Sequence, residues 1–376
     1  MQHLKTKISV LIVLSICILI IGLQKYKYPN RTEIQLKINY LSKVINQPFL
    51  TNIDIPKIEK QNSEWNLFTF SFASFALTNI SFLDPTFKQQ SIELIDLAIQ
   101  KAITDTVYKC YFSGDHPFFP KLDTNGSVLY YGHLNMMLGC YRILSKNSKY
   151  NSLNDSLSSN LQRRFLSAKF KCLESYSELI WIPDNTTALA SLKIHSLNSG
   201  ISYDNIFEDW VKYAKINWIE HHTGLLCSMV NIDNGMQLEE ARGSMIGWSI
   251  LFINYFDKKF ARELYEHYKN KFSTQLIFIS CFKERYNNNE TTEGDLDSGP
   301  IFLGYSIPAN AFAFGDAVAL QDYRNAKRLH RLIKLGSKSV IKANELHYET
   351  RFVNMSISPL AESLILYLET LIDWTY

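Results

Sequence analysis

The sequence lacks a cysteine framework. Cys17 stands inside an apolar run, and the other five, Cys110, Cys140, Cys172, Cys227 and Cys281, are an odd set with no paired spacing. That argues against a disulfide-stapled domain and a zinc site built on cysteine, and leaves core thiols as the expectation. Also absent are a Gly-rich phosphate loop, a His-Glu-x-x-His helix and a Gly-x-Ser-x-Gly elbow, so neither a metal nor a cofactor is expected. The run Asp295-Leu296-Asp297-Ser298-Gly299 lacks the later ligands of an EF-hand. Charge of one sign is not concentrated: 39 basic against 36 acidic residues leave a net +3, and no stretch gathers Lys and Arg into the block a nucleic-acid footprint requires.

What the chain does have is apolar and aromatic mass. Hydrophobic residues make up 46% of its 376 positions, with 21 Tyr and 23 Phe, enough for a thick core or a ligand-stacking pocket. The run from Ile8 to Leu23 carries no charge and is flanked by Lys5, Lys7, Lys25 and Lys27. It is close to bilayer-spanning length and reads as an uncleaved anchor, because no small-x-small cleavage site follows it. The division expected is a cytoplasmic N-terminus at 1 to 7, a transmembrane anchor at 8 to 23, and one domain from about 30 to 376 on the periplasmic or extracellular side.

Beyond the anchor, two kinds of helical segment alternate. One is amphipathic and charged on its outer face: residues 86 to 103 follow Asp84-Pro85 with a stripe of Ile92, Ile95, Ala98, Ile99 and Ala102, and residues 258 to 273 follow Asp257 with Phe260, Ala261, Leu264, Tyr265 and Tyr268. Stretches at 32 to 45, 155 to 175, 205 to 218 and 322 to 334 are of this kind. The other kind is apolar nearly all round, at 68 to 77, 132 to 144, 187 to 197, 243 to 256, 309 to 320 and 359 to 371. Six polar-faced and six buried helices in strict alternation describe two concentric rings, an all-α (α/α)6 toroid. The long connections, 104 to 129, 219 to 242, 275 to 306 and 335 to 356, then emerge on one face, at the N-termini of the inner helices.

Four clusters fall at that mouth: Tyr130-Tyr131-Gly132-His133-Leu134-Asn135, Trp181-Ile182-Pro183-Asp184-Asn185, Glu239-Glu240-Ala241-Arg242-Gly243-Ser244, and Gly294-Asp295-Leu296-Asp297-Ser298-Gly299-Pro300. His133 titrates near neutrality and is a candidate acid or base, or else a structural imidazole inside the barrel. Asp184 is a candidate catalytic carboxylate or the N-cap of an inner helix beginning near Thr186. Asp295 and Asp297 are either a carboxylate pair whose repulsion raises one pKa, or turn-forming aspartates. Arg242 could hold a substrate anion with its bidentate fork, or pair with Glu240 to stabilise the loop. Glu240, Asn135, Tyr131 and Trp181 complete the set expected to touch substrate.

The block Gly132-His133-Leu134-Asn135-Met136-Met137-Leu138-Gly139-Cys140-Tyr141, followed by Pro183-Asp184-Asn185, resembles linalool dehydratase/isomerase and its relatives. The similarity continues through Thr223-Gly224, Asn234-Gly235, the segment 257 to 272, the turn around Asp295 and His347-Tyr348-Glu349, spanning roughly residues 65 to 370. It implies an (α/α)6 barrel with His133 facing the central cavity. The family's two active-site cysteines align with Trp181 and Ala190, neither of which transfers a proton as a thiol does. Three functions remain open: an acid/base enzyme for a polyhydroxylated, glycan-type substrate acting by hydrolysis, elimination or epimerisation; a dehydratase or isomerase of a small alkenol; or a non-catalytic binding barrel in a membrane assembly. The partners expected are a small-molecule or glycan substrate and, through residues 8 to 23, a membrane; oligomeric state is not legible.

Overall fold

The structure is a computed structural model and describes residues 21, 23 to 47, 63 to 108, 111, 126 to 146, 149 to 287, 294, 295 and 297 to 374. The expected N-terminus and anchor lie outside the described residues, except for Ile21 and Leu23, which are helical and exposed. Among the described residues, twelve long helices follow in the expected alternation. The outer set is α1 (Arg31–Asn46), α3 (Lys88–Ala102), α5 (Asn151–Ser167), α7 (Asp204–Asn217), α9 (Lys258–Phe272) and α11 (Tyr323–Gly336). The inner set is α2 (Ser63–Leu83), α4 (Val128–Leu144), α6 (Ile182–Ser199), α8 (Gly243–Phe256), α10 (Ile307–Ala319) and α12 (Pro359–Glu369). Each inner helix packs on the next, and α12 returns to α2, so the ring closes.

Local chemistry sets these elements. Asp257 caps α9 by accepting from Phe260 N at 2.9 Å, and the stripe read from the sequence, Phe260, Ala261, Leu264, Tyr265 and Tyr268, is buried. Asp84 accepts from Thr86 N, but a 3-10 turn at Pro85–Phe87 precedes α3, so the helix begins at Lys88, two residues later than the expected 86. The inner helices approach closely: a Cβ on Gly132 would lie 2.9 Å from the backbone nitrogen of Ala188, so α4 and α6 meet there only through glycine. α2 is long and apolar enough to cross a membrane, yet it is mostly buried as an inner stave of the barrel. Cys140, Cys172 and Cys227 are buried free thiols and Cys281 is half-buried, as expected of core residues; Cys110 lies outside the described residues.

Several boundaries differ from the sequence reading. Helix α6 begins at Ile182, with Pro183 in its first turn, so Asp184 sits inside the first turn and is not the cap. Helix α5 ends at Ser167, short of the expected 175, and Lys171 adopts a left-handed backbone in the turn beyond. The long connections also hold small antiparallel sheets: β1 (Ile180–Trp181), β2 (Met229–Val230) and β3 (Gln237–Glu239) form one, β4 (Ser273–Gln275) and β5 (Ser280–Phe282) a second, β6 (Ser337–Lys342) and β7 (Glu345–Thr350) a third. Backbone polar groups in long loops need partners, and local pairing supplies them. The last hairpin turns on Ala343 and Asn344, both at positive φ, which matches the twist of a two-residue connection.

Candidate functional site

The inner ring is in register from one end. Phe68, His133, Thr187, Trp248 and Phe312 are each the sixth residue of their helix, and together they form one layer below the mouth. Phe68 lies 5.1 Å from the His133 ring and 5.4 Å from Trp248, Trp248 lies 5.1 Å from Phe312, and Trp248 Nε1 donates to Thr187 Oγ1 at 2.8 Å. Beneath them Phe72, Phe75, Phe252 and Tyr367 continue the stack, with Tyr367 stacked on Phe72 at 5.8 Å. The axis of the barrel is therefore an aromatic column, partly open only at Phe68 and Trp248.

His133 is fully enclosed in that column. Burial alone drives its pKa down to about 3, so the imidazole is neutral at physiological pH. Its Nδ1 lies 2.8 Å from Ser71 Oγ. Ser71 Oγ also lies 3.2 Å from Phe68 O, and the other ring nitrogen is Nε2. That Nε2 has no hydrogen-bond partner among the described residues. A second enclosed group, not singled out by sequence reasoning, is Asp316 on α10. Both its oxygens lack partners among the described residues, and burial raises its pKa well above the carboxylate range, so it is a neutral acid. The signal was present: one Asp within Phe314-Gly315-Asp316-Ala317, on a helix whose other polar side chain is Asn310.

At the mouth the charges are organised by Arg242, the residue before α8. Its Nε donates to Glu284 Oε1 at 3.0 Å, Nη2 donates to Asp295 Oδ1 at 2.9 Å, and Nη1 lies 3.6 Å from Glu239 Oε1. Glu284 in turn accepts from Ser244 Oγ at 2.7 Å and from Ser306 Oγ at 2.6 Å, which puts a buried carboxylate between the first turns of α8 and α10. Gly243 is required in this arrangement, since a Cβ there would fall 2.0 Å from Lys283 O. Arg242 is 1% exposed, and its guanidinium is taken up by three protein carboxylates. The expected substrate clamp is thus a support for the mouth loop. Arg242 does not pair with Glu240 either: Glu240 is exposed, and Glu239 and Glu284 take that place.

The aspartate turn rests on this support. Asp295 Oδ1 accepts from Arg242, from Asp297 N at 3.1 Å and from Ser298 N at 2.8 Å, while Oδ2 takes none of these bonds. Burial raises its pKa, but the Ser298 amide and Arg242 prevail and hold it at about 2. Asp297 moves the other way. Partial desolvation at the mouth raises its pKa, as do Asp295 and Glu284, and Arg242 only partly offsets them. Two carboxyls two residues apart are thereby split into a fixed anion and a group that holds its proton more tightly than a free Asp.

The remaining expected residues are less exposed to a ligand. Asn135 is buried in a network, donating to Ser158 Oγ and Ser191 Oγ at 3.0 Å each and accepting from Asn154 Nδ2 at 2.8 Å, so it ties α4 to α5 and α6. Tyr131 is buried against Tyr130. Asp184 is 6% exposed, where its charge complements the α6 dipole. Trp181 is half-buried in β1 at the mouth, its carbonyl accepting from Asn185 Nδ2 at 2.8 Å. The residues brought together as one polar site are Arg242, Asp295 and Asp297; His133 lies on the axis below, under Phe68 and Trp248.

No protein-family model matches the sequence. Solved structures match almost its full length. A family 105 glycoside hydrolase from C. acetobutylicum superposes with a TM-score of 0.58 at 12% identity, over 90% of this chain and 98% of that one. The GH76A alpha-1,6-mannanase from Salegentibacter sp. HEL1_6 gives a TM-score of 0.54 at 9% identity, over 91% and 98%; a variant of that mannanase with two successive aspartates replaced is inactive and is seen with alpha-1,6-mannotetrose. A D-mannose isomerase gives 0.51 at 12% identity, over 81% and 87%. At such identities the likeness shows the fold, an (α/α)6 toroid, and not the reaction.

Proposed function

We propose that the chain is a carbohydrate-processing enzyme that uses general acid/base chemistry at the mouth of its toroid, held to a membrane by residues 8 to 23 with the barrel on the extracytoplasmic side. The observation that carries the reading is the split carboxyl pair: Asp297, whose pKa desolvation raises from its ordinary value, and Asp295, held at about 2. Hydrolysis, elimination and epimerisation of a sugar each need one group that gives a proton and one that takes it. Asp297 is cast as the acid and Asp295, through its free Oδ2, as the base. Arg242 and Glu284 fix the pair, Phe68, Trp181 and Trp248 offer flat faces for a sugar ring, and Glu240 is placed at the rim. His133 and Asp184 are too enclosed in this state to meet a polymer and serve the site from below.

The aromatic column favours a second reading. An apolar floor over a neutral imidazole suits a small alkenol, in line with the linalool dehydratase/isomerase resemblance, with carboxyls in place of the thiols that Trp181 and Ala190 cannot supply. Incubating the purified full chain with a panel of glycans and alkenols, and following products by mass spectrometry, separates the readings. Turnover of a glycan, lost in Asp297→Asn while that variant remains folded, supports the first. Turnover of an alkenol replaces it with the second, and binding without turnover rejects both in favour of a binding barrel.

A further inference from the structure

The sequence holds no block of Lys and Arg, but the fold builds one. Helix α11 carries Arg324, Lys327, Arg328, Arg331 and Lys334 and no acidic residue, so this one helix bears more positive charge than the net +3 of the whole chain. The spacing of three, one, three and three keeps the five on one side, while Asn325, Ala326 and Leu329 face the barrel. Arg324 and Lys334 are exposed.

Two apolar elements border this stripe. Arg328 Nη1 donates to Gln275 Oε1 at 3.2 Å and Arg331 Nη1 to Phe278 O at 3.2 Å, so the β4–β5 turn lies beside it. Leu276, Ile277 and Phe278 in that turn are all exposed, Ile277 by 58%. On the same helix Arg331 Nη2 donates to Ile21 O at 2.7 Å and to Gln24 Oε1 at 2.9 Å, and Tyr26 N donates to Tyr323 O at 2.8 Å. The chain leaving the apolar run 8 to 23 therefore runs along α11, adding exposed Ile21, Leu23, Lys25 and Lys27 to the face. Burial, Lys334, Arg331 and Lys27 together lower the Lys327 pKa, so these cations feel one another.

We propose that this wall of the barrel, α11 with the turn at 276 to 278 and the segment at 23 to 27, docks on a bilayer surface bearing anionic phospholipid. A soluble acidic partner would account for the cations alone. The bordering apolar side chains, and the chain that enters the face directly from a bilayer-length apolar run, fit a lipid interface, with Lys and Arg at headgroup level and Ile277 and its neighbours below. Docking gives the barrel a fixed attitude: α11 ends, and the β4–β5 turn lies, at the mouth end of the wall, so the mouth rim sits at the membrane surface. The inference concerns the wall and stands whatever reaction the mouth performs.

The test uses the full chain reconstituted into vesicles of phosphatidylcholine, with or without a quarter of phosphatidylglycerol, and follows lysine acetylation by mass spectrometry. Lys327 and Lys334 should react several-fold more slowly in the anionic vesicles than in the neutral ones, with protection weakened by salt. Lys169, beside α5 on the opposite wall, should react alike in both. Arg324→Glu with Lys334→Glu should abolish the difference at Lys327, and Ile277→Asp should reduce it; all three positions are exposed. Equal rates in the two kinds of vesicle would overturn the proposal. So would equal protection by soluble poly-aspartate without a bilayer, which would assign the stripe to an acidic protein, or protection already present in neutral detergent, which would assign it to another copy of the chain.

Discussion

Two buried cations organise this molecule, and they are used differently. In the wall, Lys37 on α1 pairs with Glu369 on α12, lies 3.3 Å from Glu33, and donates to Tyr348 OH at 3.0 Å. His330 lies 3.4 Å from Glu369 and Tyr348 OH donates to it at 3.2 Å. Burial would raise the Glu369 pKa, but Lys37 and His330 bring it to about 2. At the mouth Arg242 gathers Glu239, Glu284 and Asp295 in the same manner, but Asp297 is left beside the cluster, exposed and with a raised pKa. A network that satisfies every member stabilises and does nothing else; one that leaves a titrating group at an opening can also move a proton.

Breaking the wall network should have the largest effect on stability. Lys37→Met leaves Glu369 enclosed without its principal counter-ion, and removing one partner of a buried pair costs about 3–5 kcal/mol. Urea denaturation followed by circular dichroism should show the midpoint falling with little change in slope. Arg242→Met should cost somewhat less, roughly 2–4 kcal/mol, because Ser244 and Ser306 still donate to Glu284. It should also free Asp295, whose pKa, read by NMR titration, should climb from about 2 towards the ordinary range. A wall network that tolerates Lys37→Met better than the mouth tolerates Arg242→Met would invert the comparison.

A smaller effect comes from Glu362, which accepts from Tyr348 N at 2.5 Å and whose pKa burial raises from 4.5 to about 8. The unfolded chain releases this proton near pH 4.5 and the folded one only near 8. Stability from this group is therefore whole below pH 4.5 and declines as the pH rises to about 8, a loss of roughly 2 kcal/mol at most after solvent relaxation. Glu362→Gln should flatten the stability profile across that window, as measured by thermal unfolding at successive pH values. His133 acts in the opposite sense: with its folded pKa at about 3, its stabilisation is present above pH 6.5 and lost as the pH falls.

The ring architecture was legible because each helix advertises its side of the wall: Phe260, Leu264 and Tyr268 repeat at helical spacing on an outer helix, and the inner helices are apolar nearly all round. The hairpin at Ser337–Thr350 was not, because its strands hold Lys, Ser and Glu in place of an apolar alternation and its turn is Ala343-Asn344. Arg242 and the two aspartates were legible as a cluster, since polar residues flanked by glycine stand out in an apolar chain. The role of Arg242 was not, because Glu284 lies forty-two residues away and only the fold brings it to the guanidinium. Nor can a sequence give the depth of His133, which depends on Phe68 and Trp248 arriving from two other helices.

Asp297→Asn should change stability least of all and function most. The side chain is exposed and makes no side-chain hydrogen bond among the described residues, so its removal should shift unfolding by no more than about 0.5 kcal/mol. As a proton donor, however, it must be protonated to act. Turnover by the native chain should then fall as the pH rises through the raised pKa of Asp297, and the Asn variant, isosteric but unable to give a proton, should lose about 10²–10⁴-fold at every pH. Asp297→Glu keeps a carboxyl and should recover part of that loss, with the alkaline limb of its pH profile displaced. Measured against Arg242→Met, which should lower stability and activity together, the pair of variants separates support from chemistry. Wild-type rates and an unchanged pH profile in Asp297→Asn would remove the acid from the mouth, leaving the neutral imidazole of His133 on the barrel axis as the group to which the chemistry would have to be reassigned.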